Sequence, residues 1–250
     1  MVESERYRHQ IEWEISQWKQ KIFKRPGLLE NSSRKFSGWL NAKIPDKVHQ
    51  TVTSTIKGIV NTVLFTAKFV PNGPVLLETP LAARDAKAKG VISRYQKIAS
   101  AEGAGTGAGG VLLGLVDFPA LLAIKMKMLF ELAHIYGYDT ADLRERLYLL
   151  HVFQLAFSGF EQRKKIFAVL SDWNTYQNQF AEQSNAEPQV DWRTFQQEYR
   201  DSIDFRKMLQ MVPGIGAIVG AWANYSLIDD LGETAINCYR IRLLQLENNQ

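Results

Sequence analysis

The chain has 250 residues, of which 46% are hydrophobic and 22% are charged, a composition that excludes a disordered protein. Its mean hydropathy of -0.21 excludes a bundle of membrane spans, because each span needs about 20 consecutive apolar residues. Cys238 is the only cysteine, which excludes an intrachain disulfide, and the first ten residues lack the apolar core of a secretory signal, so we expect a cytoplasmic protein.

The first predicted helix runs from Glu3 to Lys24 and begins a basic region. Its apolar residues recur every three or four positions and form one stripe: Tyr7, Ile11, Ile15, Trp18 and Ile22. Between Ile15 and Pro45 the chain has seven basic residues and one acid, although the whole chain carries a net charge of only +4. We therefore separate residues 1–45, a basic amphipathic helical region, from residues 46–250, the main helical domain.

Two explanations of this basic region remain open. The first helix can pack on the core through its apolar stripe, with ordinary surface lysines on its other side. Alternatively, the region binds an anionic membrane surface, with aromatic rings at headgroup level and bases over the lipid phosphates. The residues that would contact this surface are Trp18, Lys19, Lys21, Lys24, Arg25, Arg34, Lys35 and Trp39.

Helical patterns continue to the carboxyl terminus. One helix starts at Asp46 and is broken by residues 71–74, and an Ala- and Lys-rich helix covers about residues 80–100. A later helix ends at Gly137 as a left-handed cap, and Asp139 or Thr140 starts another that runs to Leu170 with a kink near Gly159. We interpret residues 174–189, which are polar, as a loop or an insertion between helices. No alternation of strand length occurs, so we predict an all-α, single multi-helix domain with seven to nine helices.

Two apolar segments, residues 103–124 and 208–228, are rich in glycine. The first contains G-x-G-x-x-G, but it follows a helix instead of a strand and lacks the lysine of a phosphate loop, so we expect no nucleotide cofactor. Glycines four positions apart instead favour close approach of helices, and we predict a buried glycine-rich helix pair. Conditional insertion into a bilayer is the alternative, although Asp117 would oppose it unless paired.

Few motifs indicate chemistry. Glu131 and His134 have the spacing of one helix of a carboxylate-bridged iron site, but the remaining ligands of such a site are missing, so we expect no metal. Glu102 and Asp117 are weak candidates for the acid/base pair of a hydrolase acting on lipid or peptide. The excess of basic over acidic residues is confined to one terminus, which disfavours a nucleic-acid partner. We therefore favour a protein that is not an enzyme and keep the hydrolase as the alternative.

With these segments in view, the chain resembles the EcsC family over about residues 70–246. The residues that carry the resemblance are Glu102, Gly103, Thr106, Gly107, Gly109, Gly110, Asp117, Pro119, Tyr136, Gly137, Asp139, Pro213, Gly216, Gly220, Asn224, Arg240 and Arg242. The family is named from a bacterial protein encoded beside an ABC-type transporter, and the resemblance implies no reaction. It implies a bacterial setting with a membrane transporter or an envelope protein as the partner. The basic, tryptophan-containing amino-terminal region and the two glycine-rich apolar segments favour a non-enzymatic helper at the inner face of the membrane.

Overall fold

The protein is described by a computed structural model that covers residues 2–24, 46–107, 110–182 and 216–248. These residues form eight helices: α1 (Val2–Ile22), α2 (Asp46–Phe65), α3 (Leu81–Gly107), α4 (Gly110–Ile135), α5 (Leu143–Phe157), α6 (Phe160–Ser171), α7 (Trp173–Glu182) and α8 (Gly216–Asn248). The described ranges contain no strand, and the prediction of an all-α fold is confirmed.

The longest helix, α8, has 33 residues and packs most extensively against α3. The two helices are antiparallel, since Asp85 of α3 contacts Arg240 of α8, whereas Gln96 farther along α3 contacts Asp229. Between these contacts the helices approach closely at Gly232, where a Cβ atom would lie only 2.5 Å from Cδ1 of Ile92. Glycine is needed at this point because a side chain would overlap the facing helix.

The core lies between α8 and the middle helices, α4 and α5. Consecutive side chains of α4 from Met128 to Phe130 are fully buried, as are Leu149 and Leu150 of α5. A helix covered on most of its sides has no polar face to present to water, which explains why the sequence of α4 is apolar around much of its circumference. Helix α2 packs against α4, and α6 packs against α5.

Helix α1 lies across this core and confirms the predicted apolar stripe. Ile11, Ile15 and Trp18 are buried, and the Trp18 ring lies 6.1 Å from the ring of Phe167 in α6. Burial of such side chains contributes about 1.5–3 kcal/mol each, which holds α1 on the protein. Within the described helices, no stretch combines the length and apolarity that a bilayer span requires.

Gly137 ends α4 with a φ of +92°, as predicted for a left-handed cap. Other predicted boundaries were wrong. Asp142 caps α5 by accepting a hydrogen bond from the Arg144 backbone, so neither Asp139 nor Thr140 starts this helix. The predicted kink near Gly159 is a complete break between α5 and α6.

Residues 174–182 belong to α7 and are not a loop. The polar composition of this stretch indicates a loop, but the helix has an aromatic side that packs on the core. Trp173 and Tyr176 both pack on the ring of His151. The described part of the second glycine-rich segment, residues 216–228, continues without a break into the rest of α8. Predictions for residues 25–45 and 183–215 lie outside the described residues, including the remainder of the loop that we expected at residues 183–189.

Candidate functional site

Asp85 and Arg240 form a buried ion pair, with side chains that are 2% and 4% exposed. Nε and Nη2 of Arg240 lie 2.9 and 2.8 Å from Oδ2 of Asp85. The hydroxyl of Tyr7 in α1 donates to the same oxygen at 2.5 Å, and the hydroxyl of Tyr136, after α4, donates to Oδ1. These donors replace the water that the carboxylate loses on burial. One carboxylate thus joins α1, α3, α8 and the end of α4.

Glu14 extends the pair toward the surface by accepting a hydrogen bond of 2.8 Å from Nη1 of Arg240. Burial opposes the charge of Arg240, but Asp85 and Glu14 outweigh it and raise the pKa of this guanidinium. Burial, reinforced by Asp85, raises the pKa of Tyr7 to about 12. The phenol therefore stays protonated at neutral pH and does not have the pKa of a general base. The cluster therefore holds elements of the fold together.

A second buried pair joins Arg242 of α8 to Glu145 of α5 through two hydrogen bonds of 2.6 and 2.7 Å. The guanidinium also lies 4.0 Å from the ring centre of Tyr138 and 4.6 Å from that of Tyr148. A planar guanidinium suits this combination of a bidentate ion pair and ring stacking, and a lysine would not replace it. The ring of Tyr239 packs among the tyrosines and links the two pairs.

The structure brings together four residues of the family resemblance: Tyr136, Gly137, Arg240 and Arg242. The other members that it describes lie apart. Asp139 is exposed and accepts a hydrogen bond from the Ala141 backbone, and Pro119 is exposed in α4. Asn224 is buried in α8, where its Nδ2 has no hydrogen-bond partner among the described residues.

Of the remaining residues that carry the family resemblance, some are described only as part of a helix and two lie outside the described residues. Gly109 and Pro213 lie outside the described residues. Only the helix is described for Glu102, Gly103, Thr106 and Gly107 in α3, Gly110 and Asp117 in α4, and Gly216 and Gly220 in α8. The acid/base pair of Glu102 with Asp117 and the glycine-rich helix pair therefore stay predictions.

The residues expected at a membrane surface differ in their environments. Trp18 is a core residue in this structure, and the exposed tryptophan of α1 is Trp13, whose surface is 64% accessible. Lys19 lies 5.2 Å from the ring centre of Phe167, and Lys21 forms an ion pair of 2.6 Å with Glu233. Lys24 is exposed. The four others, Arg25, Arg34, Lys35 and Trp39, lie outside the described residues.

Glu131 and His134 do not face a common ligand. Glu131 accepts hydrogen bonds from Arg94 and Tyr95, whereas Nε2 of His134 lies 3.1 Å from the hydroxyl of Thr140. Burial lowers the pKa of His134. Across the described ranges, no group of three or more His, Cys, Asp and Glu side chains is placed to hold a metal ion.

A groove of about 600 Å³ opens to solvent above Arg240, between α1, α3 and α8. Two exposed aromatic residues, Trp13 and Tyr225, lie on its rim. Its other lining residues are Glu14, Gln17, Trp18, Lys21, Lys89, Ile92, Gln96, Asp229, Glu233, Ile236, Asn237 and Arg240. The groove adjoins the buried cluster at Arg240, and its lining carries both signs of charge.

The fold and the site define an all-helical protein whose core is organised around two arginine ion pairs enclosed by tyrosines. The chain belongs to the EcsC protein family, which it matches over residues 9–244. This match confirms the resemblance and extends it on the amino-terminal side, from about residue 70 to residue 9.

Two curated relatives come from Bacillus subtilis strain 168. The chain is 42% identical to Protein EcsC over 232 residues, which are 93% of this chain and 94% of that protein. It is 33% identical to Uncharacterized protein YdbA over 168 residues, which are 66% of this chain and 60% of that protein. A search of solved structures finds no significant match.

Proposed function

We propose that this EcsC-family protein is a non-enzymatic helper that binds peripherally to the anionic inner face of the membrane through the outward side of α1. The observation that carries the proposal is a continuous exposed stripe without an acidic residue. Its members recur at steps of three and four residues, opposite the buried Ile11, Ile15 and Trp18: Arg6, Gln10, Trp13, Gln17, Gln20 and Lys24.

The chemistry of this stripe suits a bilayer surface. An exposed tryptophan is stable at headgroup level, where its ring contacts acyl chains and its indole N–H stays hydrated. Each base near an anionic surface contributes about 1 kcal/mol. Arg25, Arg34 and Lys35 follow Lys24 in the sequence and would add to this attraction. Because the apolar stripe of α1 is packed on the core, the proposed contact uses the outward side without unfolding the helix.

A partner in the membrane belongs to the same proposal. A protein held at the inner face would meet the cytoplasmic parts of a membrane transporter or of an envelope protein, the partners that the family resemblance implies. The alternative, a hydrolase acting on lipid or peptide with Glu102 and Asp117 as its acid/base pair, stays a prediction, since both side chains lie outside the described part of the chain.

Flotation with lipid vesicles tests the proposal. We expect the full chain to float with vesicles rich in phosphatidylglycerol, to stay behind with phosphatidylcholine vesicles, and to dissociate as salt screens the charges. The W13S variant and a variant with six bases changed to glutamine should lose this binding. The six bases are Lys19, Lys21, Lys24, Arg25, Arg34 and Lys35.

The matched control changes six exposed lysines elsewhere to glutamine and alters the net charge by the same amount. These lysines are Lys57, Lys68, Lys87, Lys97, Lys127 and Lys165. Binding should survive in this control if the location of the charge matters. Equal flotation of both six-base variants would refute the proposed surface, because general electrostatic attraction would then explain the binding.

A further inference from the structure

Another cavity, of about 470 Å³, opens where α6 passes into α7. Its walls are residues 171–175, at this junction, and Arg242 and Gln245 of α8. Gln245 ties the junction to α8 by donating a hydrogen bond of 3.1 Å to the carbonyl of Ser171. The volume lies within the range of about 300–1,000 Å³ that is typical of small-molecule sites. Apart from Trp173, the lining residues are polar, which indicates a polar ligand.

Arg242 presents a fixed hydrogen-bond donor to this cavity. Both of its Nη atoms bind Glu145, and the rings of Tyr138 and Tyr148 hold the plane of the guanidinium. Its Nε makes no hydrogen bond to a described residue, although Arg242 is only 8% exposed. Because Glu145 balances the positive charge, Arg242 contributes a directional donor at this place and little net charge.

Trp173 and the first turn of α7 supply further donors. Trp173 is 3% exposed, and its indole Nε1 has no hydrogen-bond partner among the described residues. The first backbone hydrogen bond of α7 runs from the N–H of Tyr176 to the carbonyl of Asp172. The N–H groups of residues 173–175 therefore have no acceptor within the helix, and the positive end of the helix dipole lies there. Acceptor oxygens of a ligand would satisfy donors from the indole, from the backbone and from Arg242.

The charges at the cavity disfavour a simple anion. Glu145 neutralises Arg242, which leaves the exposed carboxylate of Asp172 without a balancing base in the lining, so a phosphate would be repelled. An α-amino acid has no net charge, since its carboxylate and its ammonium group share one carbon atom. Asp172 directly precedes Trp173, and consecutive Cα atoms are about 3.8 Å apart. An acceptor for the ammonium group thus lies beside the donors for the carboxylate.

We propose that this cavity binds a free α-amino acid, with the carboxylate of the ligand at Nε of Arg242, Nε1 of Trp173 and the first turn of α7, and its ammonium group at Asp172. The inference goes beyond the proposed membrane contact, because the two surfaces share no residue. Its test needs no lipid, so failure of amino-acid binding would leave the vesicle result unaffected, and the reverse also holds.

Thermal unfolding of the full chain with each common L-amino acid at about 10 mM provides the screen, since a ligand of the folded state raises the unfolding midpoint. We expect at least one of them to raise it. Calorimetric titration then compares that amino acid with two derivatives. The amide, which lacks the carboxylate, should bind about tenfold more weakly, and the N-acetyl derivative, which lacks the ammonium group, about fivefold more weakly.

Two variants separate the two halves of the site. W173F keeps an aromatic ring but removes the indole N–H, and it should bind the amino acid about tenfold more weakly. D172N should weaken binding of the free amino acid about fivefold and should not weaken binding of its N-acetyl derivative. The controls W13F and D139N make the same changes at exposed positions outside the cavity and should bind as wild type does. If circular dichroism shows that W173F is misfolded, D172N carries the test alone, because Asp172 is exposed.

Four results would overturn the proposal. The first is an unchanged unfolding midpoint with every amino acid. The second is tighter binding of the N-acetyl derivative or of inorganic phosphate than of the free amino acid, which would indicate a simple anion site. The third is an equal loss of both ligands in D172N, and the fourth is unchanged affinity in a correctly folded W173F.

Discussion

Replacing Asp85 with alanine removes the acceptor on which Tyr7, Tyr136 and Arg240 converge. Arg240 would keep only Glu14 as a counter-charge, and its guanidinium would remain almost fully buried. Loss of one partner of a buried ion pair typically costs 3–5 kcal/mol, because the remaining charge is not rehydrated. We expect D85A to lower the free energy of unfolding by about 3–5 kcal/mol, a large fraction of the roughly 5–15 kcal/mol of a typical domain.

Glu14 provides the matched control, since it binds the same guanidinium from a more hydrated position. Its side chain is 29% exposed, whereas that of Asp85 is 2% exposed. An ion pair open to solvent contributes at most about 1 kcal/mol, so E14A should cost much less than D85A. The double variant D85A/R240A should cost less than the sum of its single losses, because no buried charge is left unpaired.

Urea unfolding followed by far-UV circular dichroism measures these differences. The slope of the free energy against urea must stay constant for the comparison to hold, since a changed slope indicates a changed unfolded or native state. A loss below about 1 kcal/mol in D85A, or a loss no greater than that of E14A, would refute the argument that burial of Asp85 makes this pair central to stability.

Three further outcomes are expected. In urea unfolding, Gly137→Ala should lower the free energy of unfolding by about 2 kcal/mol and Gly73→Ala by about 1 kcal/mol. Both glycines have a positive φ, but only at Gly137 would a Cβ lie within 3.2 Å of a guanidinium nitrogen, that of Arg84. Equal losses would show that this close contact does not matter. Gly232→Ala should cost about 1–3 kcal/mol and should be partly relieved in the double variant with Ile92→Ala, whereas simple additivity would exclude a clash between the two. Burial lowers the pKa of His134, so the unfolded state binds more protons, and stability should be lost as the pH falls below the ordinary histidine pKa of about 6.5. His134→Gln should reduce the slope of the free energy of unfolding against pH by up to about 1.4 kcal/mol per pH unit. An unchanged slope between pH 7 and 5 would contradict the assignment.

Local patterns predicted much of the helical structure. The stripe of α1 appears in the sequence because residues three and four apart share one face of a helix, and Gly137 appears because few other residues adopt a positive φ. The error at residues 174–182 has the same origin. A short helix that contributes only a few aromatic side chains to the core has a composition close to that of a loop, and only the neighbouring α5 reveals its buried face.

The site was predicted only in part. Tyr136, Arg240 and Arg242 were identified through the family resemblance, whereas Asp85, Glu145 and Tyr7 were missed. Asp85 and Arg240 are 155 residues apart in the chain, and nothing within one or two turns of either residue indicates the other. The absence of a local counter-charge beside Arg240 in an apolar helix is a signal that a distant acid exists, but it does not identify that acid.

The sequence by itself determined the all-helical class, the buried side of α1 and the turn at Gly137, because these depend on interactions between residues that are close in the chain. The tertiary structure decided which charges meet in the core, which tryptophan of α1 faces solvent, and where the groove with Lys89 and Asp229 opens. Those features depend on distances between helices, and packing of the whole chain sets these distances. The physical reason is the range of the interactions: backbone hydrogen bonds and side-chain stripes act within a few residues, whereas a buried ion pair forms only where folding brings two remote helices together.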